Sequence, residues 1–204
     1  MKKGIYRISL LLVSVLVFRT AFAWTGSLEE IQKATDKVDS ISSEFTQEKH
    51  LAILKTPLVS KGVFFYQKPN SLRWEYQSPV PSVLMSFQGE LKRFYKQDDE
   101  FKEDTGAHLQ AMQIVIQEIT NWLGGQFDKN PNFTSELLKN KGIVLTPNKK
   151  ELEEMIARIE LVFSNQPGVI ESVIIYESKN SFTKLIFARP TINSAIDPSR
   201  FQVP

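Results

Sequence analysis

Between Leu58 and Tyr76 the side chains alternate with a period of two, twice over, across one break. Leu58, Ser60, Gly62, Phe64 and Tyr66 interleave with Val59, Lys61, Val63, Phe65 and Gln67. Lys68-Pro69-Asn70 interrupts the run, because proline has no N–H to give a ladder and asparagine favours turns. Leu72, Trp74 and Tyr76 then alternate with Arg73, Glu75 and Gln77, and Pro79 and Pro81 end the segment. A two-residue period puts alternate side chains on opposite faces of an extended chain, and no helix can segregate them that way. The pattern predicts antiparallel strands joined by short turns. It recurs: Val83, Met85 and Phe87 begin a strand, Gln88-Gly89 turns, and Leu91 to Lys96 returns. Later, Ile143 to Leu145 stops at Pro147, and Ile159, Leu161 and Phe163 alternate with Arg158, Glu160 and Val162. Asn165 to Gly168 reads as a turn, and Val169–Tyr176 pairs with Phe182–Phe187 across Ser178–Ser181.

Two stretches carry the helical period instead. Ser27-Leu28-Glu29-Glu30 is a capping box, and Leu28, Ile31, Ala34, Val38 and Ile41 follow at spacings of three or four, with Phe45 continuing the stripe. Leu109, Met112, Ile116, Ile119 and Leu123 make a second stripe over residues 107–123, widened by Val115 and Trp122 and stopped by Gly124-Gly125. A short helix is expected near Ser135–Lys139, and residues 149–156 are compatible with another. The expected architecture is α+β and mainly β: one large antiparallel sheet with apolar-faced helices set against it.

The first residues read as an address rather than structure. Lys2, Lys3 and Arg7 precede an apolar run from Ile8 to Phe18, and Ala21-Phe22-Ala23 supplies a small-x-small cleavage pattern. That run is well short of the ~20 residues that span a bilayer. The expected organisation is a signal peptide over 1–23 and a single domain over 24–204. Cleavage removes four basic groups and no acidic one, turning a formal charge of +2 into −2. This balance argues against a nucleic-acid binder. There is no cysteine, so disulfides, thiolate metal sites and a lipid anchor on the chain's own cysteine are excluded, and export without cysteine fits a bacterial periplasm.

Chemistry is scarce. No phosphate loop, nucleophile elbow or zinc-protease motif is present. His50 and His108 read as isolated from carboxylates in local sequence, as surface or loop histidines are, and a general base needs an orienting group. Asp98-Asp99-Glu100 and Glu103-Asp104 read as solvated loop. No catalytic residue, metal or cofactor is expected, and the chain does not read as an enzyme. What stands out is Val63-Phe64-Phe65-Tyr66, apolar or aromatic on both faces of one strand. Periodicity leaves two readings open: a sheet simply covered by helices, or an incomplete barrel whose concave face holds a ligand.

The order of motifs narrows this. Phe45-Thr46-Gln47 is followed by Gly62-x-Phe64-x-Tyr66-x-Lys68-Pro69-Asn70-x-Leu72-Arg73-Trp74. Leu84-Met85-Ser86, Phe94-Tyr95, Val144-Leu145-Thr146-Pro147 and the terminal Phe201-Gln202-Val203-Pro204 come after. From about Leu28 onward the chain resembles the LolA family of outer-membrane lipoprotein carriers. The resemblance implies an unclosed antiparallel β-barrel covered by an α-helical lid, with a hydrophobic cavity for lipoprotein acyl chains. It also implies a periplasmic monomer that is loaded by an inner-membrane lipoprotein-releasing ABC transporter and unloads to an outer-membrane lipoprotein receptor. The expected cavity lining is Leu72, Trp74 and Tyr76, with Val83, Met85 and Phe94 beside them. Phe64 and Tyr66 are taken from the facing strand because they share parity with Gly62, against the alternative of Val63 and Phe65. Leu109, Met112, Ile116 and Ile119 would form the lid surface. The family's arginine before the proline, which helps set lid position, is Lys68 here, and lysine lacks its planar fork. That departure keeps an alternative in play: a LolA-like accessory carrier or sensor for another lipid or glycolipid.

Overall fold

The computed structural model describes residues 27–87, 90–104, 118–126, 130–139, 142–166 and 168–204. Eleven strands form one antiparallel sheet: β1 Ser40–His50, β2 Leu58–Gln67, β3 Ser71–Ser78, β4 Ser82–Phe87, β5 Glu90–Gln97, β6 Glu100–Glu103, β7 Phe133–Leu138, β8 Gly142–Pro147, β9 Arg158–Phe163, β10 Ile170–Tyr176 and β11 Phe182–Ile192. Their spatial order is β6-β5-β4-β3-β2-β1-β11-β10-β9-β8-β7. Two meanders therefore meet in the middle, where β1 pairs β11 from Ile41↔Ile192 to His50↔Phe182. The outer strands β6 and β7 are not paired with each other, so the sheet is unclosed.

Helices cover one face. Helix α1 spans Leu28–Thr35, with the Ser27 hydroxyl accepting from the Glu30 N–H at 3.2 Å, as the capping box requires. Residues 118–123 are helical (α2) and end at Gly125, whose φ of 74° suits a helix stop. Helix α3 is the single turn Lys150–Glu153, and a 3-10 turn, Pro198–Phe201, lies near the C-terminus. One buried cluster joins Ile31 of α1 and Ile119, Trp122 and Leu123 of α2 to residues of both meanders, among them Phe64, Trp74, Ile159 and Val173. A sheet whose two halves share one core with the same helices is curled around them. The fold is the expected one, an unclosed antiparallel β-barrel with a helical cover. No helix among the described residues is long and apolar enough to cross a membrane.

Three local expectations are corrected. The α1 stripe stops at Thr35, and Ile41 and Phe45 belong to β1. A spacing of four is ambiguous, since it returns to the same side of a helix and to the same side of a strand. Here β1 hydrogen-bonds to both β2 and β11, and two ladders outweigh one helical turn. The short helix near Ser135–Lys139 is instead β7, paired from Phe133↔Pro147 to Leu138↔Gly142. The acidic stretch at 98–104 is solvated but not all loop. Asp98 and Asp99, with φ of 51° and 67°, form the turn of a β5–β6 hairpin, and all four β6 residues are exposed. Of the second helical stripe, Leu109, Met112 and Ile116 lie outside the described residues, as do Gln88-Gly89.

Candidate functional site

The concave face is built by register. Phe64 pairs with Trp74, and Tyr66 with Leu72, and residues directly opposite share a face. All four are at most 2% exposed. The parity that includes Gly62 is thus the inner one, and Val63 and Phe65 point the other way. Phe45 on β1 lies directly over Gly62, where a Cβ would come within 2.8 Å of its ring and 1.9 Å of the Glu75 carbonyl oxygen. With that room, Phe45 reaches Trp74 edge-on at 5.1 Å between centroids. Trp74 also meets Phe64 at 5.2 Å and Phe187 of β11 at 5.9 Å. Such edge-to-face sets add to burial a modest directional preference.

Polar groups on this face are few and closely managed. The Tyr76 hydroxyl donates to Gln47 Oε1 at 2.7 Å, and burial pushes its pKa up to about 12. Tyr66 is shifted upward too, first by burial and then by the Asp39 charge. The indole N–H groups of Trp74 and Trp122 are buried without a hydrogen-bond partner among the described residues. Between the sheet and α2 runs a crevice lined by Ile41, Phe64, Ile119, Leu123, Val173 and Phe187 among others, with Ser43 among its few polar contributors. Its free volume is about 20 Å³, room for roughly one water molecule. Among the described residues, this part of the apolar face is packed by the protein's own side chains.

Of the expected lining residues that are described, most come together here: Phe64, Tyr66, Leu72, Trp74 and Ile119 in the core and Tyr76 packed against it. Val83, Met85 and Phe94 do not, and this is a correction. Trp74 pairs with Leu84, so Leu84 is the β4 residue on the inner face. Val83 pairs with Glu75, Met85 with Arg73 and Phe94 with Val83, which places all three on the opposite face as a separate buried cluster. The β3–β4 connection through Pro79 and Pro81 sets that register, and a shift of one residue exchanges the two faces. The sequence reading also missed Phe45, Leu84 and Phe187. Phe187 was findable, since Leu185 and Phe187 alternate in β11, but Leu84 was not without the register.

Lys68 sits at the end of α1. Its ammonium donates to the carbonyl oxygens of Thr35 at 3.3 Å and Asp36 at 2.8 Å, and lies 4.0 Å from Asp39. A cation on the last carbonyls of a helix satisfies orphan acceptors and complements the helix dipole. The β9–β10 turn supports the same spot: Gly168, at φ 79°, lies so close to α1 that a Cβ would sit 2.8 Å from the Ala34 carbonyl carbon. His50 is stacked on Phe182 at 4.2 Å and lies 3.4 Å from Glu48, at the β1 end away from Lys68. His108 lies outside the described residues. Among those residues no group of three histidine or carboxylate side chains is placed to hold a metal ion.

A curled antiparallel sheet with an aromatic, helix-covered concave face defines a protein that keeps an apolar interior under a helical cover. The family model described as "Outer membrane lipoprotein carrier protein LolA" matches residues 36–204, and the chain belongs to that lipoprotein-carrier family. It is similar to the outer-membrane lipoprotein carrier protein of Dechloromonas aromatica (strain RCB), 23% identical over 187 residues, covering 88% of this chain and 84% of the relative. A second carrier of the same name, from Photorhabdus laumondii, is 26% identical over 136 residues, 61% of this chain and 66% of the relative. Among solved structures, a LolA superfamily protein from Nitrosomonas europaea is 9% identical with a TM-score of 0.41, over 87% of this chain and 98% of that one. The MucA/MucB complex of Pseudomonas aeruginosa gives 13% identity and a TM-score of 0.43, over 87% of this chain and 59% of that one.

Proposed function

We propose that this chain is a periplasmic carrier that takes lipoprotein acyl chains onto its concave face and shuttles lipoproteins from the inner to the outer membrane. Family membership supports the class of cargo. The observation that carries the reading is the cover: α2 meets the sheet through Ile119, Trp122 and Leu123, against Phe64, Phe187 and their neighbours. Burying apolar surface is non-directional, so methylenes of an acyl chain can replace those side chains at little net cost. An acyl chain left in water would cost ~0.8 kcal/mol for each methylene, which rules out unaided crossing of the periplasm. The described residues leave little room between α2 and the sheet, so in this reading loading requires the helices to lift.

In this reading Phe64, Tyr66, Leu72, Trp74, Tyr76 and Ile119 meet the acyl chains, and Leu109, Met112 and Ile116 extend the lid. Lys68 is the gate, because its two bonds to the end of α1 must break or turn when that helix moves. Residues 1–23 are a signal peptide, and 24–204 work as one monomeric domain without catalysis. The partners are an inner-membrane lipoprotein-releasing ABC transporter and an outer-membrane lipoprotein receptor. A second reading, an accessory carrier or sensor for another lipid or glycolipid, draws on the lysine at position 68.

Depletion of the protein followed by membrane fractionation tests the proposal. Retention of lipoproteins at the inner membrane is the expected result, and unchanged sorting sinks it. Native mass spectrometry of the protein purified after export separates the two readings: an adduct of lipoprotein mass favours the first, and a free lipid or glycolipid mass favours the second.

A further inference from the structure

The β1–β2 hairpin runs past β3 on one side, while β11 accompanies it on the other as far as His50↔Phe182. Leu58 and Ser60 of β2 pair with Lys49 and Gln47 of β1, whereas β3 joins β2 only from Lys61↔Ser78 onward. Its tip exposes aliphatic side chains on both faces: Ile53 is 88% exposed, Leu58 53%, Val59 45% and Leu54 42%. Val80, in the β3–β4 connection at the same end of the sheet, is 63% exposed. Isolated apolar residues on a surface need no explanation, but several gathered on a protruding loop mark a contact surface.

The charge around the tip says which kind. From Lys49 to Trp74 there is no acidic residue, while Lys49, Lys55 and Lys61 lie in or beside the hairpin. The β10–β11 turn packs against it, with the Ala52 N–H donating to the Ser181 hydroxyl at 3.2 Å, and adds Lys179. The local acids are engaged: Glu177 with Lys49 and Thr183, and Glu48 beside His50. Asp98 and Asp99 sit at the β5–β6 turn, three strands from β2, and Glu151 and Glu153 in α3 lie beyond β9, three strands from β1 on the other side. At ~4.8 Å per strand that is about 15 Å, beyond a Debye length at ordinary salt. A greasy tip rimmed by lysines, whose stems can lie along the boundary while their ammoniums stay in water, suits an anionic lipid surface.

We propose that the β1–β2 tip docks the protein on anionic bilayers, with Ile53, Leu54, Leu58 and Val59 entering the interface and Lys55, Lys61 and Lys179 meeting headgroup phosphates. This is separate from acyl-chain carriage, because the tip is at the end of the sheet away from Lys68 and the reading needs no cargo. The test is co-flotation of the protein purified after export with phosphatidylglycerol-containing vesicles, compared with pure phosphatidylcholine vesicles. Binding to the anionic vesicles is expected to fall at least about tenfold in the I53S/L54S double variant and to weaken steeply as salt rises. K55Q/K61Q/K179Q should lose the preference for phosphatidylglycerol. Both variants alter exposed groups, and an unchanged urea midpoint verifies that they fold. Absence of wild-type binding, equal binding by I53S/L54S, or a tip found buried in a self-associated dimer by sedimentation overturns the proposal.

Discussion

Adjacent residues of β3 show two ways of covering a sheet. Trp74 faces inward, 2% exposed, among Phe45, Phe64 and Phe187, and its indole N–H has no partner among the described residues. Arg73 faces outward and is nearly as buried, at 9%, and its guanidinium is held by directed hydrogen bonds. It pairs with Glu75 at 2.9 Å and donates to the carbonyl oxygens of Arg200 and Gln202 at 3.3 Å each. The Arg200 guanidinium in turn lies 5.2 Å from the centre of the Phe65 ring. The C-terminal segment is thus tied to the outer face by hydrogen bonds as well as by the buried Phe201, while the helices meet the inner face mainly through apolar contact, with α1 held at its end by Lys68 and α2 held at Glu118 by Asn130 and Asn132. A guanidinium stripped of its acceptors is costly in an apolar setting, so nothing lipid-like can replace the C-terminal segment. Apolar contacts make no such demand. In the proposed carrier the inner cover is the one that acyl chains would exchange with.

Breaking the inner face should have the largest effect. Trp74→Ala is expected to lower stability by about 3–5 kcal/mol in urea unfolding of the empty protein. A loss below about 1 kcal/mol would mean that the aromatic set is not core, and the contrast would collapse. On the outer face, Arg73→Met should cost about 2 kcal/mol by leaving the Glu75 carboxylate and two carbonyls without their donor. Amide exchange should then quicken over residues 198–204 while β1 and β11 stay protected. Uniform quickening would show that the two covers are not independent. The smallest effect is a pH dependence. The Tyr76 phenol is held neutral in the folded state up to about 12, against an ordinary value of 10.0. Folding therefore keeps a proton that the unfolded chain releases. The stabilisation is complete below pH 10 and declines as pH rises toward 12, by about 1 kcal/mol near pH ~11. Ultraviolet titration of phenolate in wild type against Tyr76→Phe reads this directly, and a Tyr76 that ionises near 10 removes it.

The inner-face aromatics of β2 and β3 were legible in the chain because hairpin partners a few residues apart carry the same alternation. Tyr66 faces Leu72 across a turn of three residues, and the parity of one implies that of the other. Past Pro79 and Pro81 this inheritance fails. The reading placed Val83, Met85 and Phe94 inside, and the register put Leu84 there. The same loss of information let Ile41 and Phe45 extend a helix that ends at Thr35, because the four-residue spacing between them satisfies both periods. Leu137 and Leu138 of the edge strand β7 are adjacent and both exposed, so no alternation announced that strand. Lys68 was singled out by motif alone. That its ammonium lands on the last carbonyls of α1 follows from the β2–β3 turn and the helix end being brought together in space.

The linear chain by itself determined which stretches are extended and which pairs of side chains lie on opposite sides of them. Those properties follow from backbone geometry within a few residues. Only the folded molecule decided which side is interior, since that depends on register against a partner strand and on where the helices come to rest. It also decided that the two meanders join through β1 and β11. Their hydrogen bonds link residues such as Phe45 and Phe187, nearly the whole chain apart, and a backbone N–H carries no mark of the distant carbonyl it will meet.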